Sequence, residues 1–154
     1  MISFQNHNIK RTLKNKSLLK QWIESTIQKK KRSCGRIGFV FCSDEYLLGM
    51  NKQYLNHDTY TDIITFDYSK GDLKQAVSGD ILISVDRVNE NSKTFSKSFE
   101  SELHRVMIHG ILHLLGYNDK TGPAKAEMRK QEDLCLRALG KKANRIFPVE
   151  QKKK

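Results

Sequence analysis

The sequence predicts an α+β fold in a single domain, with a buried central helix lying against a small β-sheet and further helices flanking it. Three observations predict it. The apolar periodicities run helix, strand, helix, strands, helices along the chain, an order that makes layers, and no internal repeat interrupts it. The stretch Val106 to Leu115 is apolar nearly all round, as a helix at the centre of a domain is. A length of 154 residues with 38% hydrophobic side chains is enough for one ordinary core.

The elements follow in order. In SLLKQWIESTIQKKKR, Leu18, Leu19, Trp22, Ile23 and Ile27 make one apolar stripe, with Ser17 as the expected N-cap and a basic end that suits the helix dipole. GRIGFVFCS alternates Ile37, Phe39 and Phe41 with smaller residues and predicts a strand. SDEYLLGMNKQYLN opens with Ser43 as cap and Asp44 and Glu45 in the first turn, then continues as a helix through Leu47, Leu48 and Tyr54. A strand is expected at Asp62 to Asp67 and, after a loop around Gly71, another in SGDILISV. From Asp86 the chain is helical to Leu115 with a break between Ser92 and Ser98, and Gly116 supplies the stop. The last helix starts at Pro123, carries Met128, Glu132, Cys135 and Leu139 on one face, and is expected to end at Gly140. The domain is expected over residues 1–147, with 148–154 as a basic, disordered tail.

Lysine and arginine number 28 against 17 acids, a formal net charge of +11 that attracts polyanions, with nucleic acid the leading class. The competing explanation is solubility, because part of the charge lies in Lys29 to Arg32 at a helix end and part in the terminal QKKK. No apolar run reaches the roughly 18 to 20 residues of a membrane span, and MISFQNHNIKRTLKNK lacks the apolar core of a signal peptide. Cys34, Cys42 and Cys135 form no CxxC pair, so a reducing cytoplasm is the expected setting.

The chemistry concentrates in HGILHLLGYNDK, His109 to Lys120. His109 and His113 are four residues apart, about 40° round a helix, so their rings can converge on one ion. His104 stands about 140° away from His109 and is expected to be more exposed, with no metal role. A catalytic zinc site usually takes three protein ligands, and Asp119 is the anionic side chain that a return of the chain at Gly116 can bring back. Two readings stand here: a metal site, or two hydrogen-bonded core histidines followed by a polar turn. Burial tips the balance slightly to the metal, because paired imidazoles on an apolar helix need partners for their ring nitrogens. A zinc peptidase of the HExxH type is disfavoured, since its glutamate would stand at Gly110.

HGILHLLGYND resembles the HGxLHLxGYDH signature of the YbeY family of metal-dependent endoribonucleases and rRNA maturation factors. NKQYLNHDTYTDIITF resembles the family's LNxxYRxxDxxTDVLSF, SGDILIS its GDIxI strand, and EMRKQED the helix after the metal loop, so the likeness covers roughly Ser43 to Gly140. The resemblance implies an α+β fold with a small mixed sheet, a zinc ion in a basic cleft, a cytoplasmic location and single-strand-specific cleavage in maturation of the small-subunit (16S) rRNA. Zinc binding carries over onto His109 and His113, and the last histidine of the signature falls on Asp119, itself a good zinc ligand that shifts preference modestly toward Mn²⁺. The family arginine falls on Leu55, which leaves Lys52 and His57 beside it as candidate RNA contacts. The alternative is a non-catalytic ribosome-assembly or RNA-binding protein with a structural metal. Partners in either case are ribosomal RNA and the small subunit or its assembly factors.

Overall fold

The computed structural model describes residues 1–69, 72 and 74–146. The expected loop at Gly71, the domain limit at Phe147 and the tail 148–154 lie outside the described residues. Among the described residues nine elements follow one another: β1 (Ile2–Asn6), α1 (Lys16–Lys29), β2 (Cys34–Cys42), α2 (Asp44–Leu55), β3 (Ile63–Asp67), β4 (Val77–Ser84), α3 (Val85–Thr94), α4 (Phe99–Leu114) and α5 (Gly122–Ile146). The four strands form one mixed sheet in the order β1-β2-β4-β3, with β1, β2 and β4 parallel and β3 antiparallel to β4.

Strand periodicity divides the sheet into two faces. Ile37, Phe39 and Phe41 of β2 and Ile81 and Ile83 of β4 join the main core with α1, α4 and α5, while Cys42, Ile64 and Leu82 meet Leu47 of α2 on the other side. The helix α4 lies against β3 and β4 at Gly110, where a Cβ would come within 2.9 Å of both Ile63 Cδ1 and Ile81 Cγ2. Any larger residue there would make Ile63 and Ile81 shift, so close packing accounts for the glycine that argued against a peptidase.

Ser43 caps α2 and Ser98 caps α4, each accepting from the backbone N–H three residues on, and the break between α3 and α4 falls at 95–98 as expected. Three expectations need correction. The strand β1 was not foreseen; it is held as a parallel edge by β2, with Ile2 buried. Asn15, in the left-handed conformation at φ 60°, precedes α1, and Ser17 lies inside the helix, where its Oγ accepts from Gln21 Nε2 at 3.4 Å. The helix α5 continues past Gly140 to Ile146, because an exposed glycine in a helix interior costs only about 1 kcal/mol against alanine and the chain beyond it keeps its helical hydrogen bonding.

Candidate metal centre

On α4, Arg105, His109 and His113 form a polar stripe at intervals of four on a helix otherwise buried from Glu102 to Leu114 apart from His104. Immediately after it, Leu115 closes the helix and Gly116 takes φ +106°. Gly116 N donates to His113 O and Tyr117 N to Leu112 O, the paired bonds of a Schellman cap. The cap reverses the chain over the histidines and delivers Asp119. Asp119 Oδ2 lies 3.5 Å from His109 Nε2 and 3.9 Å from His113 Nε2.

The two imidazoles are fixed from behind. His109 Nδ1 is 2.6 Å from Glu132 Oε2, and His113 Nδ1 is 3.1 Å from the carbonyl of Tyr117. A carboxylate and a carbonyl can only accept, so each Nδ1 carries the hydrogen, and in the neutral rings each Nε2 presents a lone pair. Those two Nε2 atoms face each other at 3.0 Å. Two lone pairs at that separation repel unless a cation or a shared proton lies between them.

The donor set fits a metal. Zinc at 2.0–2.1 Å from each donor in tetrahedral array separates the donors by about 3.3 Å, and the observed 3.0, 3.5 and 3.9 Å bracket that value. His109, His113 and Asp119 together form a group that could hold an ion. The outer partners have the form usual for metal-binding imidazoles, whose second nitrogen bonds a carboxylate or carbonyl.

Charge around the pair is uneven. Burial works against protonation of His109, but the hydrogen bond and charge of Glu132, with Asp119 and Asp62, outweigh it and raise its proton affinity. Burial, and then the charge of His109, lower that of His113. Glu132 is 6% exposed, yet burial is overcome by His109 and by Arg105, which hold its carboxyl below the usual range. Arg105 spans Glu132 at 2.7 Å and Asp133 at 2.8 Å. Asp62, half-buried in the same cleft, is pushed the other way by burial. The cleft has a volume of about 540 Å³ and reaches His109, Asp119 and Glu132.

A family model described as endoribonuclease YbeY matches residues 1–140. The chain belongs to the endoribonuclease YbeY family. It is 47% identical over 144 residues to an endoribonuclease YbeY of Flavobacterium psychrophilum, covering 94% of this chain and all of that one. A YbeY of Phocaeicola vulgatus is 47% identical over 139 residues, covering 90% and 98% of the two chains. The solution structure of TM1509 from Thermotoga maritima superposes with a TM-score of 0.64 at 25% identity, over the full length of both chains.

In this chain the structure brings His109, His113 and Asp119 together. Lys52 and His57 are exposed and do not line the cleft: Lys52 pairs with Asp58 at 3.4 Å, and His57 donates its backbone N–H to Asn51 O. Leu55 ends α2 and is 42% exposed. His104, expected to be exposed, is half-buried because α1 crosses α4 there and places Trp22 edge-on to its ring at 6.2 Å; burial lowers its proton affinity, opposed by Glu100. Sequence reasoning missed the roles of Arg105, Glu132 and Asp62 beside the imidazoles. Two signals were present: Arg105 completes the stripe with His109 and His113, and Glu132 is an acid on the buried face of α5 between Met128 and Cys135.

No helix among the described residues is long and apolar enough to cross a membrane.

Proposed function

We propose that this protein cleaves single-stranded ribosomal RNA during maturation of the small subunit, with a divalent ion held by His109 Nε2, His113 Nε2 and a carboxylate oxygen of Asp119. The observation that carries the reading is the pair of Nε2 atoms facing each other at 3.0 Å beside Asp119, in a chain of an endoribonuclease family. A divalent ion bound there supplies Lewis acidity toward a phosphoryl oxygen and acidifies water at neutral pH. Two imidazoles and a carboxylate favour zinc, with Mn²⁺ the nearest competitor. Asp119 brings a negative charge that a third imidazole would not, which tempers that acidity. The cytoplasm and the assembling small subunit are the setting that this substrate implies.

The chain's own groups have distinct parts. Glu132 and the Tyr117 carbonyl hold the hydrogens on Nδ1 of His109 and His113 and so keep both Nε2 lone pairs aimed at one point. Arg105 keeps Glu132 ionised and in place. Asp62, with its proton affinity raised by burial, is suited to take up or give a proton at its carboxylate in the cleft.

The test is cleavage of a structured small-subunit rRNA fragment by wild type and His113→Ala, each stripped of metal and resupplied with Zn²⁺ or Mn²⁺. Loss of metal-dependent cutting in the variant is expected; equal cutting by both would overturn the proposal. Ion stoichiometry of Asp119→Ala tests the third ligand separately, since unchanged binding of one ion removes Asp119 from the set. A second reading, a non-catalytic ribosome-assembly protein with a structural metal, is favoured by Leu55, an exposed leucine where the family carries an arginine able to hold phosphate. Cleavage by the metal-loaded protein separates the two.

A further inference from the structure

The loop between α3 and α4 displays an aromatic ring that the core does not use. Phe95 is 57% exposed and has no aromatic or cationic ring partner among the described residues. Its backbone is firmly set. Phe95 N donates to Asn91 O, Ser96 takes φ 55° and donates to Lys93 O, and Lys97 N donates to Ser92 O at 2.8 Å, so a second Schellman-type cap fixes the backbone from which the ring projects. That place is the wall of the cleft that holds His109 and Asp119.

The charges of the same cleft differ in depth and in partners: its outer acids are Asp133, exposed and paired with Arg105, and Asp119, part-exposed beside the imidazoles. Glu102 and Glu132 are buried and Asp62 half-buried, whereas Lys97, Lys125 and Arg129 are exposed. None of these three cations has an ion pair among the described residues, while Arg105 is occupied by Glu132 and Asp133. A cleft whose exposed acid Asp133 is already held by Arg105, while three exposed cations have no ion pair among the described residues and an aromatic stands exposed on the wall, matches a single strand of nucleic acid, whose phosphates seek cations and whose unpaired bases stack on rings. An apolar protein partner would use the ring but leave the three cations without a counterpart.

We propose that Phe95 is a base-stacking platform of the cleft, on which one nucleobase of single-stranded RNA lies while Lys97, Lys125 and Arg129 hold the adjoining phosphates. The proposal rests on reading the cleft as an RNA site and adds how it distinguishes unpaired from paired RNA: a base in a duplex has no free face to offer. Phe95 is thereby a positioning residue, which brings the strand past the imidazole pair without touching the reacting atoms.

The experiment measures binding and not cleavage, so it stands apart from catalysis. The probes are an eight-nucleotide 2′-O-methyl RNA, which resists cleavage, the same backbone with abasic positions throughout, and the duplex of the first. Full-length wild type, Phe95→Ala, Phe95→Leu and Phe95→Trp are titrated by fluorescence anisotropy over a range of salt. Loss of the ring is expected to weaken binding of the single strand by about 5- to 150-fold in both Phe95→Ala and Phe95→Leu. Phe95→Trp should restore it. The abasic strand should bind all four proteins alike, and the slope of affinity against salt should not change, because the phosphate contacts are kept. Phe95→Leu keeps an apolar side chain and serves if Phe95→Ala folds poorly. Equal binding of the single strand by wild type and Phe95→Leu overturns the platform, as does an equal loss on the abasic strand. If wild type itself binds none of the probes at low salt, the RNA reading of the cleft fails and the platform with it.

Discussion

Glu132→Gln is the most direct perturbation of the proposed metal centre that leaves all three ligands in place. Glutamine keeps the size and an acceptor oxygen but removes the charge that receives His109 Nδ1 at 2.6 Å and Arg105 at 2.7 Å. A hydrogen bond to a charged group is worth about 1.5–3 kcal/mol, roughly twice its neutral counterpart. Losing that difference on the imidazole, about 0.75–1.5 kcal/mol, predicts roughly 4- to 13-fold weaker metal binding, near the low end of the about 10- to 100-fold that follows loss of such outer partners. The glutamine amide can also turn its NH₂ toward Nδ1, which would move the hydrogen to Nε2 and block that ligand atom outright. Competition with a chromophoric chelator for Zn²⁺ measures the constant, with Asp133→Asn as a control that removes the exposed partner of Arg105 and spares His109. Wild-type affinity in Glu132→Gln would refute the claim that this carboxylate tunes His109, and an equal loss in Asp133→Asn would place the effect in Arg105.

Three further outcomes are expected. Gly110→Ala forces a Cβ to within 2.9 Å of Ile63 and Ile81, so overpacking of about 1–3 kcal/mol should exceed the roughly 1 kcal/mol gained in helix propensity, and the urea midpoint should fall; a rise would show that the two isoleucines yield freely. Cys42 has its thiol pushed up to about 12 by burial and then by Asp86 and Asp44, so iodoacetamide at pH 8 should label it only after unfolding, and modification of the native protein at the rate of a free thiol would contradict its placement. Asp62→Asn should lower the rate of RNA cleavage by about 10²- to 10⁴-fold while leaving single-strand affinity unchanged, and undiminished cleavage would remove Asp62 from proton transfer.

The residues explain why some of this was legible in the sequence. The stripe of α4 and the stop at Gly116 are local facts, decided by spacing within one turn, and they located the imidazole pair and the return of Asp119. The cap Ser43 is equally local. The strand β1 was not legible because its five residues carry only Ile2 and Phe4 as apolar signals, and what makes it a strand is the parallel pairing of Ile2 with Ile37 and Phe4 with Phe39 across a long separation in sequence. The same limit hid the partners of the histidines. Glu132 lies 23 residues from His109 along the chain, and only the packing of α5 on α4 brings them to 2.6 Å. The role of Gly110 was visible as the lack of a base, but its cause, the approach of a helix to Ile63 and Ile81, belongs to the assembled sheet.

The elements that supply the three donors differ in stiffness, and that difference bears on which ion the site can accept. His109 and His113 sit on a helix whose neighbours Ile108, Ile111 and Leu112 are fully buried, and both rings are held from behind, so their 3.0 Å separation is set by the core. Asp119 sits in the turn that follows, partly exposed, at 3.5 and 3.9 Å from the same two atoms, and no other contact of its carboxylate competes for it among the described residues. A larger or harder ion therefore finds its accommodation at Asp119, where a small rotation of one side chain changes the donor distance without disturbing the core. A third imidazole in that position would be a bulkier ring with one fixed donor atom, whereas a carboxylate offers two oxygens and can turn either one inward. In the proposed site, the change of ligand type at Asp119 would keep the imidazole geometry that zinc prefers and would move the choice of ion to the one donor that is free to adjust.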